Sequence, residues 1–207
     1  MAEKKPQDSI VKAVGKAGGY ETIIKLGEVG IDTFLNSGLV REIPILGTLV
    51  GIGKAGVAVR DVLLVRKLQA FLHELEDVAE EREQFVAEME ADPAQRDKVG
   101  MHLLTLLDRF DDVEKAQLMG RAFRMFLKRN ILPIDFRKIA SVIDRLLVED
   151  LRLCAQSNAR YLLQTLPNQK AEYIACGLFV ETNTHSPEIR VELTQLGLWV
   201  GRIVRGE

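Results

Sequence analysis

The chain has 207 residues, 47% of them hydrophobic and 28% charged, which excludes wholesale disorder and collagen-like repetition. Lysine plus arginine number 28 against 30 aspartate plus glutamate, a formal charge of -2, so no global field marks a nucleic-acid binder. Two cysteines, Cys154 and Cys176, cannot build a disulfide framework and suit a reducing cytosol, and the polar start MAEKKPQDS lacks the apolar core of a signal peptide.

Aromatic residues make up 6%, while Leu, Ala, Glu, Arg and Val recur at helical spacing, so the fold is expected to be mainly α. Most of the 16 glycines lie before residue 57, which makes the N-terminal quarter a different material from the rest. The expected organisation is a polar tail over 1–9, a Gly-rich apolar helical region over 10–65, a helical bundle over 66–156 and a small mixed end over 157–207.

Residues 43–65, IPILGTLVGIGKAGVAVRDVLLV, are the most unusual stretch. Read as a helix, Ile45, Leu49, Ile52, Val59 and Leu63 share one face. Gly47, Gly51 and Ala55 recur every fourth residue along another, joined by Ala58, which is the small-residue spacing that lets helix backbones approach closely. Lys54 falls near the centre of the stretch, and a central lysine costs roughly 2.5–3.5 kcal/mol on insertion scales, so a constitutive single span is not expected. Three readings stay open: the central helix of a bundle, a conditional membrane helix that turns Lys54 toward water, and a partner-binding helix.

From residue 66 to about 91 the stripe Leu68, Phe71, Leu72, Leu75, Val78, Phe85 and Met89 predicts one long amphipathic helix. Asp92 and Pro93 end it and start the next, as N-cap and first helical residue. Asp111, with Glu114 three residues later, reads as the capping box of another helix, and Pro133 opens a further one. The stretch 74–92 is acidic save for Arg82, whereas Arg121, Arg124, Lys128 and Arg129 begin a basic run. That basic set either receives an anionic partner or faces the acidic helix as a complementary surface.

A short helix is expected around Tyr161, Leu162 and Leu163 and another over 168–176, stopped by Gly177. LFVE at 178–181 and IRVEL at 189–193 then alternate as a β-hairpin, and 196–204 reads as a closing helix. The run GLFVE at 177–181 with IRVELTQLG at 189–197 resembles the end of a winged-helix domain, in which a hairpin wing leads through a Leu-Thr-x-Leu-Gly turn into a final helix. The resemblance implies a winged-helix-like shape for about residues 157–207. DNA reading, the usual function of that family, depends on cations in the helix before the wing, and here that helix carries Lys170 alone. The whole chain also resembles, more loosely, bacterial proteins found near prophage and defence genes, through IPILG at 43–47 and the glycines that follow.

Catalytic chemistry finds little support. His73, His102 and His185 belong to no metal-ligand spacing. GTLVGIGKA at 47–55 departs from a phosphate-binding loop: no Ser or Thr follows the lysine and the glycine spacing is one residue too long. No cofactor is expected. The leading expectation is a non-enzymatic cytoplasmic bacterial effector, conditionally at the inner membrane and active in phage conflict, that self-associates or meets lipid through Gly47, Gly51, Lys54, Ala55 and Ala58. The alternative is a regulatory module that holds a protein, or less readily nucleic acid, through the winged end and Arg121, Arg124, Lys128 and Arg129.

Overall fold

The computed structural model describes residues 6–16, 59–156, 167–182 and 190–207. Among them the chain is mainly helical, with a two-stranded antiparallel hairpin near the C-terminus. It divides into two compact units, Met1–Asn130 and Ile131–Glu207. This division falls at neither composition change: helices on both sides of residue 66 belong to the first unit, and the helices expected over 66–156 are shared between the two.

The N-terminal unit contains α1 (Pro6–Lys16), α2 (Val59–His73), α3 (Ala79–Ala91), α4 (Pro93–Arg109) and α5 (Val113–Leu127). In α1, Ile10, Val11, Ala13 and Val14 lie on one helical face, and all are fully buried as the helix packs on α3 and α4. Burial of each of the larger three stabilises the unit by about 1.5–3 kcal/mol before the entropy of ordering is subtracted.

The single long helix expected over 66–91 is two helices. A tight turn at 74–77 separates α2 from α3, with Leu75 N donating to Leu72 O at 3.0 Å and Glu76 N to His73 O at 3.3 Å. A continuous helix would stack Glu74, Glu76, Asp77, Glu80 and Glu81 three and four residues apart, where like charges repel. The turn instead turns Leu75 and Val78 fully inward. Asp92 caps α4 as expected, its carboxylate accepting from Gln95 N at 3.0 Å, with Pro93 in the first turn. The cap of α5 is one residue later than expected: Asp112 accepts from Glu114 N at 2.7 Å, while Asp111 reaches Lys115 Nζ at 2.8 Å.

Among the described residues of this unit, helices α2 and α5 pack extensively on each other. A Cβ at Gly120 would lie 2.6 Å from Phe71 O, so only glycine permits that approach. Beside it Phe71, Phe85, Phe123 and Phe126 stack in tilted and edge-to-face pairs, with ring centroids 5.3–6.4 Å apart.

The C-terminal unit contains α6 (Pro133–Arg145), α7 (Val148–Cys154), α8 (Pro167–Ala175), β1 (Phe179–Thr182), β2 (Arg190–Leu193) and α9 (Gln195–Arg205). The residues around 161–163, read as a short helix, lie outside the described residues. Gly177 adopts φ +77° just past α8, and Leu178 N closes back on Tyr173 O at 3.0 Å, a left-handed helix end that only glycine makes without strain. The hairpin pairs Phe179 with Leu193 and Glu181 with Val191; Phe179 and Val191 are buried, whereas Glu181 and Leu193 are exposed. Thr194 then caps α9, which packs against α6, α7 and β2.

Candidate functional site

The four basic residues singled out in the sequence are brought together, and each meets an acidic partner in the same unit. Arg121 Nε lies 3.2 Å from Glu74 Oε1, and Gln117 Nε2 donates to the same oxygen at 2.7 Å. Arg124 and Lys128 approach Asp77 Oδ2 at 3.5 and 3.8 Å, and Arg129 donates to Glu88 Oε1. The turn that breaks the expected long helix is what delivers Glu74 and Asp77 to α5. Asp77, Glu88, Lys128 and Arg129 remain exposed, so these pairs are screened and each contributes less than about 1 kcal/mol. Glu74 is the more enclosed acid, its side chain 11% exposed.

Gly47, Gly51, Lys54, Ala55 and Ala58 lie outside the described residues. The end of the same segment does not: Leu63, Leu64 and Val65 belong to α2, where Val65 is fully buried in the N-terminal unit. Among the described residues no helix is long and apolar enough to cross a membrane.

In the C-terminal unit, the lysine of α8 is neutralised within the unit, with Lys170 Nζ 2.6 Å from Glu181 Oε1 on β1. Below the hairpin, Tyr173 is completely buried and its hydroxyl donates to Asp150 Oδ1 at 2.6 Å, tying α8 to α7. Burial, followed by the Asp150 hydrogen bond, drives the Tyr173 pKa well above that of an ordinary phenol. Burial also pushes the Cys154 thiol up to about 12 and raises Cys176, which keeps both thiols protonated and weakly nucleophilic at neutral pH.

A groove of about 520 Å³ runs along this unit between α6, the α8–β1 turn and the start of α9. Leu196 and Trp199 are its large apolar lining residues, and Asp135, Lys138 and Cys176 also line it. All the exposed large apolar side chains of the described residues except Met101 lie in the C-terminal unit: Leu132, Ile134, Leu147, Val180, Leu193 and Leu198. Neither Trp199 nor these apolar side chains figured among the sequence-derived site residues. The chain's lone tryptophan, in a short C-terminal helix with Leu196 and Leu198, was the available signal.

Arg82 was also missed as anything but a counter-charge in an acidic run. It is buried at 3% exposure, and its guanidinium meets backbone carbonyls, donating through Nε to Val78 O at 3.3 Å and through Nη1 to Gly15 O at 3.3 Å. Being the sole cation of residues 74–92 was its signal in the sequence. No model of a known protein family, no curated protein and no solved structure matches this chain.

Proposed function

We propose that the protein is a non-enzymatic interaction protein whose C-terminal unit is a winged-helix-like module that holds a protein partner. The observation that carries this reading is that, among the described residues, the exposed large apolar side chains other than Met101 all lie in that unit, as Leu132, Ile134, Leu147, Val180, Leu193 and Leu198, and that the unit also holds a Trp199-lined groove. Among the described residues α8 leads into the hairpin and the hairpin into a closing helix, the order that the winged-helix resemblance implies, with α8 in the place of the reading helix. Duplex affinity comes mainly from neutralised phosphates, and the one lysine of α8 is already committed to Glu181. Large apolar side chains left in water offer area that a protein partner can cover.

The test compares the proteins retained by the intact chain with those retained by a Val180→Asp/Leu198→Asp variant of unchanged circular dichroism. A set bound by the first and lost by the second is the expected result. Equal retention by both, or duplex binding that survives physiological salt, overturns this reading.

A second reading keeps the membrane-directed effector of phage conflict. Its support is the apolar run at 43–53 with Gly47, Gly51 and Ala55 in register, a pattern suited to close helix pairing in a bilayer. Dye release from liposomes by the intact chain, lost in Gly51→Leu, is the outcome it requires. Silence from both variants in anionic and neutral vesicles removes it.

A further inference from the structure

The groove of the C-terminal unit combines an apolar wall with a charge that the unit does not answer. On its α9 side stand Leu196 and Trp199, both half-buried. On its α6 side stand Asp135, Lys138 and Ser141, three residues apart and so stacked along one helical face. Ile134, 46% exposed, comes one turn before Lys138 and continues that side with an apolar group. The groove's volume of about 520 Å³ lies within the range of sites that enclose a ligand.

The two charges that line it differ in what they already bind. Asp135 is engaged with the start of its own helix, where Leu132 N donates to its Oδ2 at 3.4 Å. Lys138 is exposed, and among the described residues it meets no carboxylate. Other cations of the unit are answered, Lys170 by Glu181 and Arg205 by Glu207. The unmet charge beside Trp199 is therefore positive. A lysine in that place lends its aliphatic stem to the apolar wall while its ammonium stays in water, ready for an anionic group.

We propose that this groove holds a segment of the partner protein in which an aspartate or glutamate neighbours a large apolar side chain, an inference that rests on the partner-binding reading. The carboxylate meets Lys138 Nζ, and the apolar group covers Trp199 and Leu196. The charge pair sets the orientation of the segment, and burial against the tryptophan supplies most of the affinity.

Trp199 is the chain's single tryptophan, so its emission reports on the groove. Random peptides displayed on phage are selected at physiological salt on the intact chain and, in parallel, on Lys138→Glu, an exposed substitution whose fold is checked by circular dichroism. The intact chain is expected to enrich peptides that pair Asp or Glu with a bulky apolar residue, and Lys138→Glu to enrich Lys or Arg in the acid's place. A synthetic peptide of the first kind, free of tryptophan, should move Trp199 emission to shorter wavelength. Replacing its acid by the amide, or Lys138 by Gln, should weaken it about fivefold, the upper range for an exposed ion pair. No enrichment, the same peptides enriched on both chains, or binding that leaves Trp199 emission unmoved overturns the proposal. Proteins lost from Val180→Asp/Leu198→Asp but kept by Lys138→Glu would sustain the partner-binding reading and overturn this one.

Discussion

Thr194 and Gly197 close the C-terminal unit from within a single helical turn. Thr194 Oγ1 accepts from Gly197 N at 3.0 Å and donates to Gly177 O at 2.6 Å, so one hydroxyl joins the start of α9 to the end of α8. A Cβ at Gly197 would collide with Leu178 O and lie 2.7 Å from Leu193 Cδ2. The cap and the missing side chain serve the same end, seating α9 against the base of the hairpin. Thr194→Ala is expected to cost about 0.5–2 kcal/mol through loss of the cap. Gly197→Ala should cost more, because backbone as well as side chain must move to admit the methyl group. Urea unfolding followed by the fluorescence of Trp199, the single tryptophan, reads this unit separately. Equal stability of Gly197→Ala and the parent would contradict the close approach.

The acidic turn between α2 and α3 covers the basic face of α5, and that arrangement sets how the chain meets polyanions. Glu74→Gln, Asp77→Asn and Glu88→Gln together remove the partners seen for Arg121, Arg124, Lys128 and Arg129. The triple variant should elute from heparin at higher salt than the parent. The exposed pairs of Asp77 and Glu88 contribute roughly 0.2–1 kcal/mol each, so most of any loss of stability should come from the more enclosed Glu74. Elution unchanged from the parent would mean that these carboxylates do not restrain the basic residues.

What could be read in the sequence was chemistry that acts over a few residues. Asp92 with Pro93, Gly177 after α8 and Thr194 before α9 each satisfy or release backbone groups within one turn, so their types and positions announce the structure. The break at 74–77 was invisible because the apolar stripe is buried on both sides of it, through Phe71 and Leu72 before and Phe85 and Met89 after. Only the stacked acids hinted at it. Arg82 shows the other limit: its acceptor at Val14 is 68 residues away, and no local pattern marks a cation that caps a distant helix. The groove beside Trp199 likewise joins side chains from α6, the α8–β1 turn and α9, which are close only after folding. The two-unit division follows packing between helices and leaves no sign in glycine content.

Alkaline pH should weaken the C-terminal unit before it affects ordinary surface groups. Burial raises the folded-state pKa of Cys154 to about 12, and burial with the Asp150 bond raises that of Tyr173 above the phenol value. For each group the folded state holds its proton more tightly than the unfolded chain does. Its contribution is therefore complete below the unfolded pKa, about 8.5 for cysteine and 10 for tyrosine, and declines as pH rises beyond it. Each group adds a slope of up to about 1.4 kcal/mol per pH unit in that window. Urea midpoints at rising pH should fall from about pH 9 onward, with the fall steepening past 10. Tyr173→Phe should flatten the upper part of that decline, although it loses some stability at neutral pH by leaving Asp150 without its donor. A pH profile identical to the parent's would place the alkaline transition elsewhere.

Arg129 occupies a position that suits glycine better. It has φ +58° just past α5, where Arg129 N donates to Phe126 O and Asn130 N to Met125 O, both at 3.0 Å. A left-handed residue at a helix end is ordinarily glycine, and a side chain there costs roughly 1–2 kcal/mol. The compensation visible in the structure is the exposed pair with Glu88, which is worth less than about 1 kcal/mol. Arg129→Gly is therefore expected to raise or preserve the thermal midpoint even as it deletes an ion pair. Arg129→Ala removes the same pair while keeping the backbone strain, and it should melt below both the parent and the glycine variant. Far-UV circular dichroism follows all three. The gap between the glycine and alanine variants isolates the backbone contribution, and its absence would show that Arg129 bears no strain, leaving the pair with Glu88 as what the residue contributes.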